Sequence, residues 1–250
     1  MTPLDIERVR SQLPGRRLAW FETVGSTMQE AGRMAVAGCP AGTAVVAEEQ
    51  TAGQGRHGHS WHSEPGAGLY VSVVLRLSLP PDSLPALTLA LGLATAEAIA
   101  RVCGISTDLR WPNDVMIDGR KVAGILVQLA DSVAITGIGV NVNHARFPAE
   151  IVSDATSLGL ASGAAQSRED LLIALLPAID SFAKMLVEGG PRPVLDMFTR
   201  HSSYARGRRV RVEQPGGVLE GVTAGLNPSG FLILRADDGS ESLILAGGVR

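Results

Sequence analysis

The sequence contains only two cysteines, Cys39 and Cys103. Two thiols cannot form a disulfide framework or a four-cysteine zinc site. They are typical of a protein in a reducing cytosol, where a lone thiol usually behaves as a small buried apolar group. The first residues also lack a basic start followed by an apolar run, so no signal peptide is predicted. We therefore expect a cytoplasmic protein.

The chain has neither an excess of positive charge nor an unbroken apolar run. It carries 22 Lys and Arg against 25 Asp and Glu, a net charge of −3. This balance gives no field that would attract a phosphate backbone, so general nucleic-acid binding is not expected. The most apolar stretch, residues 84–100, contains Pro85, Gly92 and Glu97 and predicts a buried helix rather than a membrane span. Hydrophobic residues make up 45%, which is ample for a globular core.

Lysine is scarce, because only Lys121 and Lys184 accompany the arginines among the 22 basic residues. The composition indicates a drift that replaced lysine by arginine wherever arginine would serve. The two side chains are not equivalent, since lysine is a compact ammonium and arginine a planar fork. A lysine that survives such a drift is a candidate functional residue.

Apolar periodicity and turn residues predict two domains. The larger one, residues 1–203, mixes helices and strands and is the candidate catalytic domain, and the smaller one, residues 204–250, is rich in β-strands. The predicted strands of the first domain are 43–48, 69–75, 109–111, 122–129 and 132–142, and its helices are 26–37, 86–102, 167–186 and 191–201. Ser26 with Gln29, and Thr27 with Glu30, both fit a capping box at the first helix. From Gly207 onward, four short runs separated by Pro-, Gly- and Asn-rich turns predict a small β-barrel.

Residues 53–58 match the pattern G-x-G-x-x-G after a predicted strand. Residues 59–68 cannot open the helix that a dinucleotide site requires, so we reject that interpretation. A glycine-rich loop with one strong cation, Arg56, remains. Its backbone N–H groups could bind an anion and Arg56 could clamp it, although a plain surface loop is the alternative. A zinc site at His57, His59 and His62 is a poorly supported alternative, because no cysteine and no fourth ligand at a recognisable spacing accompanies them.

The segment Trp111-Pro-Asn-Asp114 follows a predicted strand, and Lys121 comes seven residues after it. Asp118-Gly119 predicts a hairpin turn that returns the chain and brings Lys121 near Asp114. A lysine there could stabilise negative charge that develops on an acyl or phosphoryl oxygen. The alternative is a hairpin with an ordinary surface ion pair.

In residues 137–143, glycine alternates with apolar residues and two asparagines follow. This pattern leaves one face of a strand without side chains, so a ligand could approach the backbone closely. Asn141 and Asn143 should point to the same side. A tightly packed central strand is the alternative.

In this order, the motifs resemble those of the biotin–protein ligase family, in its ligase-only form without an N-terminal DNA-binding domain. The resemblance covers residues 20–145 and rests on five motifs: Ser26-Thr27, Gln50-x-x-Gly53-x-Gly55-Arg56-x-Gly58-x-x-Trp61, Trp111-Pro-Asn-Asp114, Lys121-x-x-Gly124-Ile-Leu and Gly139-Val-Asn141-Val-Asn143. Only 25 residues precede Ser26, too few for a DNA-binding domain.

The resemblance implies an α+β fold with a mixed sheet flanked by helices, similar to class II aminoacyl-tRNA synthetases, followed by an SH3-like β-barrel. It implies ATP and Mg²⁺ as cofactors, biotin as substrate and a biotin carboxyl carrier protein as acceptor. Biotin is activated as biotinyl-5′-AMP and then transferred to a lysine of the acceptor. The protein itself is expected to provide no fixed metal site, to bind neither DNA nor membrane, and to be a monomer or a homodimer.

The resemblance also assigns residues to these tasks. The expected biotin-binding residues are Ser26, Thr27, Met28, Gln50, Gln54, Gly55, Arg56, Trp61, Lys121 and Gly124. The expected ATP and adenylate residues are Arg56, His57, Trp111, Asn113, Asp114, Lys121 and Asn141. Lys121 and Arg56 are the expected catalytic residues, with Lys121 bridging acyl and phosphoryl oxygens and Arg56 in the loop that closes over the adenylate.

Two positions depart from the family pattern, because Met28 stands where asparagine is common and Gln54 where a basic residue is usual. One cation fewer near the phosphates weakens the expected hold on the adenylate. Lipoate–protein ligase is the nearest enzymatic alternative. A non-enzymatic binding module built around the C-terminal barrel is another, but it leaves the motifs unexplained.

Overall fold

The computed structural model describes residues 3–77, 83–130, 133–214 and 217–249. The α-helices are α1 (Ile6–Gln12), α2 (Thr27–Val36), α3 (Leu84–Cys103), α4 (Leu158–Ser162), α5 (Arg168–Gly189) and α6 (Pro191–His201). The strands of the larger domain are β1 (Leu18–Val24), β2 (Ala44–Gln50), β3 (Gly68–Arg76), β4 (Asp108–Arg110), β5 (Asp114–Ile117), β6 (Arg120–Ala130) and β7 (Val133–Asn141). Those of the smaller domain are β8 (Arg206–Gln214), β9 (Gly217–Leu226), β10 (Leu232–Arg235) and β11 (Glu241–Ile244).

The seven strands of the larger domain form one mixed sheet in the order β1-β2-β3-β7-β6-β5-β4. The β1–β2 pair is parallel, and all other neighbours are antiparallel. Alternate residues of each strand point to opposite faces. Val46 and Val71 face the large core with α3 and α5, whereas Val45 and Val74 face a smaller core with α2. The predicted mixed sheet flanked by helices is confirmed.

Helix α3 is, within the described ranges, the one helix long and apolar enough to cross a membrane by length and composition alone. In the fold, 67% of its apolar window is buried. Its side chains pack into the large core together with those of α5 and the sheet. The helix is capped by Gly104, which adopts a left-handed conformation and donates its backbone N–H to the Ala100 carbonyl of the last turn. The predicted buried helix is confirmed and is slightly longer than expected.

The C-terminal residues form a separate antiparallel sheet in the order β11-β10-β9-β8. Val249 forms an isolated bridge back to Val212 of β8, so the chain end returns to the opposite edge of the sheet. The predicted SH3-like module is therefore confirmed. Trp111 of the larger domain donates its indole N–H to the Gly230 carbonyl at 3.0 Å and joins the two parts.

Some local expectations were wrong. The first predicted element begins at residue 26, whereas the structure already has α1 and β1 before it. Strand β1 lies at the sheet edge and is only partly buried, so its apolar alternation is faint. The capping box at α2 does not form, because Ser26 makes no side-chain cap bond and Glu30 pairs with Arg33. Ser132, the first residue of the predicted strand 132–142, and Pro215 and Gly216, in a predicted turn of the C-terminal module, lie outside the described residues.

Candidate functional site

Two glycines create a bare patch at the middle of the sheet. Gly124 of β6 pairs directly with Gly139 of β7. A Cβ at Gly139 would lie 2.4 Å from the ring of Trp61, and one at Gly124 would lie 2.9 Å from both Trp61 and Lys121. The Trp61 ring therefore lies on the backbone itself, so the bare strand face that the glycine alternation predicted is present, and a side chain of the protein covers part of it. The approach of a ligand to this face stays a prediction.

A pocket opens beside this patch, on the sheet face that carries α2. Its empty volume, counted together with the open solvent at its mouth, is about 450 Å³. It is lined by Thr27, Met28, Gln50, Gln54, Gly55, Arg56, Trp61, Asn113, Lys121, Gly124, Ile125, Leu126, Gly137, Ile138 and Gly139. Every residue expected to bind biotin is among them except Ser26. That side chain is buried next to Thr27, and its Oγ has no partner among the described residues.

Hydrogen bonds fix the amide of Gln50 at the polar side of the pocket. Its Oε1 accepts from both the backbone N–H and the hydroxyl of Thr27, each at 2.9 Å. The Thr27 hydroxyl in turn accepts from Ser72 at 2.8 Å. The Gln50 Nε2 donates to Ser63 at 3.3 Å. An amide nitrogen carries two hydrogens, so one N–H of Gln50 has no partner among the described residues and can serve a ligand.

A β-bulge aims Lys121 into the site. The pairing of β5 with β6 shifts between Val115 and Met116, so that Val122 is the extra residue. Val122 and Ala123 both face the large core. Lys121 and Gly124 consequently share a face although they are three positions apart. Without the bulge, strand alternation would place them on opposite faces.

The Lys121 ammonium is held by a carboxylate, as the hairpin at Asp118-Gly119 predicted. Its Nζ lies 2.6 Å from Asp114 Oδ1 and 5.4 Å from the ring centroid of Trp61. Asp114 also accepts from Arg110 at 2.8 Å. Burial alone would raise the pKa of Asp114, but Lys121 and Arg110 outweigh it and hold the pKa below its ordinary value. Asp114 therefore stays ionised and keeps Lys121 in place.

Arg56 lies at the mouth of the pocket, in a tight turn of the glycine-rich loop. It donates long hydrogen bonds to Asn113 Oδ1 at 3.3 Å and to the Gly247 carbonyl at 3.4 Å. Burial lowers the pKa of the Arg56 guanidinium, and the Asp114 charge partly offsets this. A guanidinium remains protonated in proteins, so Arg56 offers a partly desolvated cation that an anion could engage.

A second, more polar cleft adjoins the pocket. Its empty volume is about 1170 Å³. It is lined by Gly55, Arg56, His57, His59, Ser60, Trp61, Asn113, Asp114, Lys121, Glu213, Gln214, Ala246, Gly247 and Gly248. Gly55, Arg56, Trp61, Asn113 and Lys121 belong to both cavities. One ligand could therefore extend from the apolar pocket into the cleft, past Arg56 and Lys121.

The cleft includes residues that sequence reasoning missed. Gln214 of β8 and the segment 246–248 come from the C-terminal domain. Gly247 has φ 110°, and a Cβ there would lie 2.5 Å from the Glu213 carbonyl. No local signal in the sequence reveals this, because the contact depends on how the two domains pack together.

Two residues expected to bind the nucleotide line neither cavity. Trp111 is buried in the core, with its indole N–H donated to Gly230. Asn141 is buried and donates to the Thr156 carbonyl at 3.1 Å. These contacts are structural, since they fix the C-terminal domain and the segment after β7. Their assignment to the nucleotide remains a prediction that this geometry does not support.

Comparison with known proteins gives the same family as the motifs. Residues 20–144 match the Biotin/lipoate A/B protein ligase family, and residues 206–249 match the Biotin protein ligase C terminal domain. The Biotin--[acetyl-CoA-carboxylase] ligase of Mycobacterium tuberculosis is 35% identical over 257 residues, covering 98% of this chain and 94% of that protein. The Bifunctional ligase/repressor BirA of Bacillus subtilis is 33% identical over 247 residues, covering 95% of this chain and 75% of that protein.

Among solved structures, the biotin protein ligase of Aquifex aeolicus in complex with biotin and ATP superposes with a TM-score of 0.82. The two are 33% identical, and the match covers 94% of this chain and 97% of that one. Family matches, relatives and structural neighbours agree with one another along nearly the whole length. This chain belongs to the biotin protein ligase family.

Proposed function

We propose that this protein activates biotin with ATP as biotinyl-5′-AMP and transfers the biotinyl group to a lysine of a biotin carboxyl carrier protein. The observation that carries the proposal is the junction of the apolar pocket and the polar cleft at Arg56, Asn113 and Lys121. An acyl-adenylate has an apolar acyl part, a charged phosphate and a polar nucleoside in that order. The names of relatives that are biotin ligases, and of a neighbour bound to biotin and ATP, support the same substrates.

Biotin is an apolar ring system with a polar ureido group, so its pocket must satisfy that group. A buried polar group without a partner costs about 1–3 kcal/mol. Among the described residues, Gln50 lines the pocket and has one N–H without a partner. The Oγ of Ser26 is also unpartnered there, but Ser26 is buried and does not line the pocket. Met28, Leu126 and Gly137 provide apolar walls. The valeryl carboxylate then points toward Lys121 and Arg56.

In the first step, the biotin carboxylate attacks the α-phosphate of ATP and pyrophosphate leaves. Lys121 and Arg56 stabilise the negative charge that builds up on the acyl and phosphoryl oxygens. In the second step, the neutral ε-amine of the acceptor lysine attacks the acyl carbon and AMP leaves. Mg²⁺ would accompany the ATP phosphates and would neutralise part of their charge. Asp114 is already bound by two cations, so we assign it no metal.

The decisive assay is ATP–pyrophosphate exchange with biotin, lipoate or octanoate as the acid. Exchange supported by biotin, with biotinyl-5′-AMP identified by mass spectrometry, is expected. Exchange supported by lipoate but not by biotin would establish the lipoate ligase alternative instead. No exchange with any of the three acids would favour a non-enzymatic binding module.

The same proposal extends to the organisation and setting of the protein. We assign catalysis to residues 1–203 and place the small C-terminal domain at residues 204–250. We propose a cytoplasmic protein whose partner is the carrier domain, acting without DNA or membrane, as a monomer or a homodimer. Size-exclusion chromatography with light scattering, with and without biotin and ATP, distinguishes the two oligomeric states.

Substitution of Gly139 by alanine tests the bare patch. The new Cβ would lie 2.4 Å from the Trp61 ring and would displace it. We expect the KM for biotin to rise at least roughly tenfold, the size of effect that loss of one well-placed contact produces. Gly32→Ala is the matched control, because Gly32 lies in α2 and a Cβ there meets nothing within 4 Å. An unchanged KM for biotin in Gly139→Ala would contradict the placement of biotin beside Trp61.

A further inference from the structure

Three potential metal ligands lie together outside the pocket and the cleft. His62 and Glu64 follow Trp61 in the segment before β3, and His144 follows β7. One ligand atom from each lies within 4.8 Å of the others. Over the ranges 3–77, 83–130, 133–214 and 217–249, this is the one such group of three or more His, Cys, Asp or Glu.

His144 is the buried member of the group, and one of its ring nitrogens has no partner. The residue is 1% exposed, and its ring stacks on Phe147 at 5.3 Å. The Tyr70 hydroxyl donates to the Glu64 carbonyl at 3.0 Å and lies 3.4 Å from His144 Nε2. Nδ1 is buried without a hydrogen-bond partner in the described part of the chain. A buried polar atom left unpaired is unfavourable and indicates a missing partner.

The contact with Tyr70 also suits a metal ligand. Tyr70 donates its hydroxyl hydrogen to the backbone carbonyl of Glu64, so the Tyr70 oxygen can accept a hydrogen bond from His144 Nε2. That tautomer leaves a lone pair on Nδ1. Histidines that bind metals usually donate their other ring N–H to an oxygen in this way, which fixes the tautomer and the ring orientation.

We propose that His62, Glu64 and His144 form a binding site for a divalent transition metal of the zinc class. Two imidazoles and one carboxylate are a donor set that zinc accepts, with water in the fourth position. Zinc bonds of about 2.0–2.1 Å in a tetrahedron place ligand atoms about 3.4 Å apart. His62 and Glu64 are accessible enough to close the remaining distance by changing rotamers.

The site would tie the glycine-rich loop to the main sheet. His62 is bonded directly to Trp61, which covers Gly124 and Gly139. A metal shared with His144 would pin this end of the loop to the residues after β7. The metal is distinct from the Mg²⁺ that accompanies ATP, because none of its three ligands lines the pocket or the cleft.

Cobalt substitution provides a direct test on the full-length protein after treatment with a chelator. We expect one Co²⁺ per chain, with the visible absorption of a tetrahedral nitrogen and oxygen site, and its displacement by one Zn²⁺. The midpoint of thermal unfolding should rise with Zn²⁺, because a ligand that binds the folded state stabilises it. An octahedral cobalt spectrum, or no stoichiometric binding, would overturn the proposal.

Variants at the two accessible ligands show whether these residues hold the metal. His62→Gln and Glu64→Gln should each weaken Zn²⁺ binding at least tenfold in competition with a chromophoric chelator, while the far-UV circular dichroism stays unchanged. His201→Gln is the matched control, because His201 is exposed at the end of α6. A double variant, His57→Gln with His59→Gln, tests adventitious binding by the loop. Full binding in His62→Gln, or loss of binding in the double variant alone, would refute the assignment.

Discussion

Replacing Lys121 with glutamine is expected to slow the formation of biotinyl-5′-AMP by roughly a hundredfold or more, the cost of removing one charge-stabilising donor. The lysine Nζ sits where the pocket and the cleft meet, 2.6 Å from the Asp114 carboxylate. Glutamine keeps much of the stem but loses the positive charge. Pre-steady-state measurement of adenylate formation, with biotin saturating, gives the rate directly.

Lys121→Arg should restore little of this rate. The Cε of Lys121 and the ring of Trp61 each lie 2.9 Å from the position that a Gly124 Cβ would occupy. The planar guanidinium is larger than an ammonium and cannot replace it in so confined a space. Lys184→Gln is the control, because it removes the other lysine from an exposed position on α5. Adenylation near the wild-type rate in Lys121→Gln would show that Lys121 serves only as a structural ion pair.

The hairpin around Lys121 shows how much of the site the sequence predicts. Asp118-Gly119 favours a tight turn with positive φ at both positions, and the structure has φ 49° and 75° there. That turn suffices to predict that Lys121 returns to Asp114. The bulge at Val122 could not be predicted, because it depends on strand pairing rather than on residue type. Yet the bulge decides that Lys121 faces the glycine patch.

The glycine and asparagine motif was understood only in part. The glycine alternation predicted a bare strand face that a ligand could approach, and in the structure the ring of Trp61 lies against Gly139 on that face. Asn141 follows on the same strand, but it binds the Thr156 carbonyl instead of lining the cleft. A polar residue next to a binding strand can serve the ligand or an adjacent loop, and sequence spacing does not distinguish the two. Only the position of the segment after β7 decides between them.

Other functional contacts could not be predicted from the sequence because they join distant parts of the chain. His144 is separated from His62 by 82 positions, so a search for local metal spacing cannot pair them. Gly247 similarly reaches Arg56 only because the C-terminal sheet packs beside the glycine-rich loop. His62 and Arg56 can each be identified in the sequence as candidate functional residues. Their partners, His144 and Gly247, are determined by tertiary packing.

Replacing Arg56 with glycine is expected to release biotinyl-5′-AMP from the enzyme at least roughly tenfold faster, because a charge-assisted contact to the phosphate is lost. The two hydrogen bonds of Arg56, to Asn113 and Gly247, are both longer than 3.2 Å. An adenylate phosphate can therefore compete for the guanidinium. The departure at Gln54 makes Arg56 the strong cation within the glycine-rich loop.

Arg17→Gly is a control at an exposed arginine outside both cavities. Unchanged dissociation of the adenylate in Arg56→Gly would refute the clamp.

A released acyl-adenylate reacts with the nearest neutral amine, and this chain offers few of them. Arginine cannot react, because its guanidinium stays protonated. Lys121 is paired with Asp114 inside the site, so Lys184 and the N-terminal amine remain. The buried face of α5 contains Leu175, Ile179 and Phe182, and the side chain of Lys184 is 71% exposed. Its amine lies 3.8 Å from Glu188 in a weak surface ion pair.

Self-biotinylation should therefore be weak even in Arg56→Gly, with the label mainly on Lys184 and the N-terminus. Incubation of this variant with ATP and biotin, without acceptor, followed by peptide mapping with mass spectrometry, locates the label. Adding Lys184→Gln should remove the label from α5 and leave the N-terminal label. Heavy labelling confined to Lys121 would mean that its amine attacks the acyl carbon. A lysine that acts as a nucleophile cannot at the same time be the cation that stabilises the transition state, so that result would overturn the proposed mechanism as well.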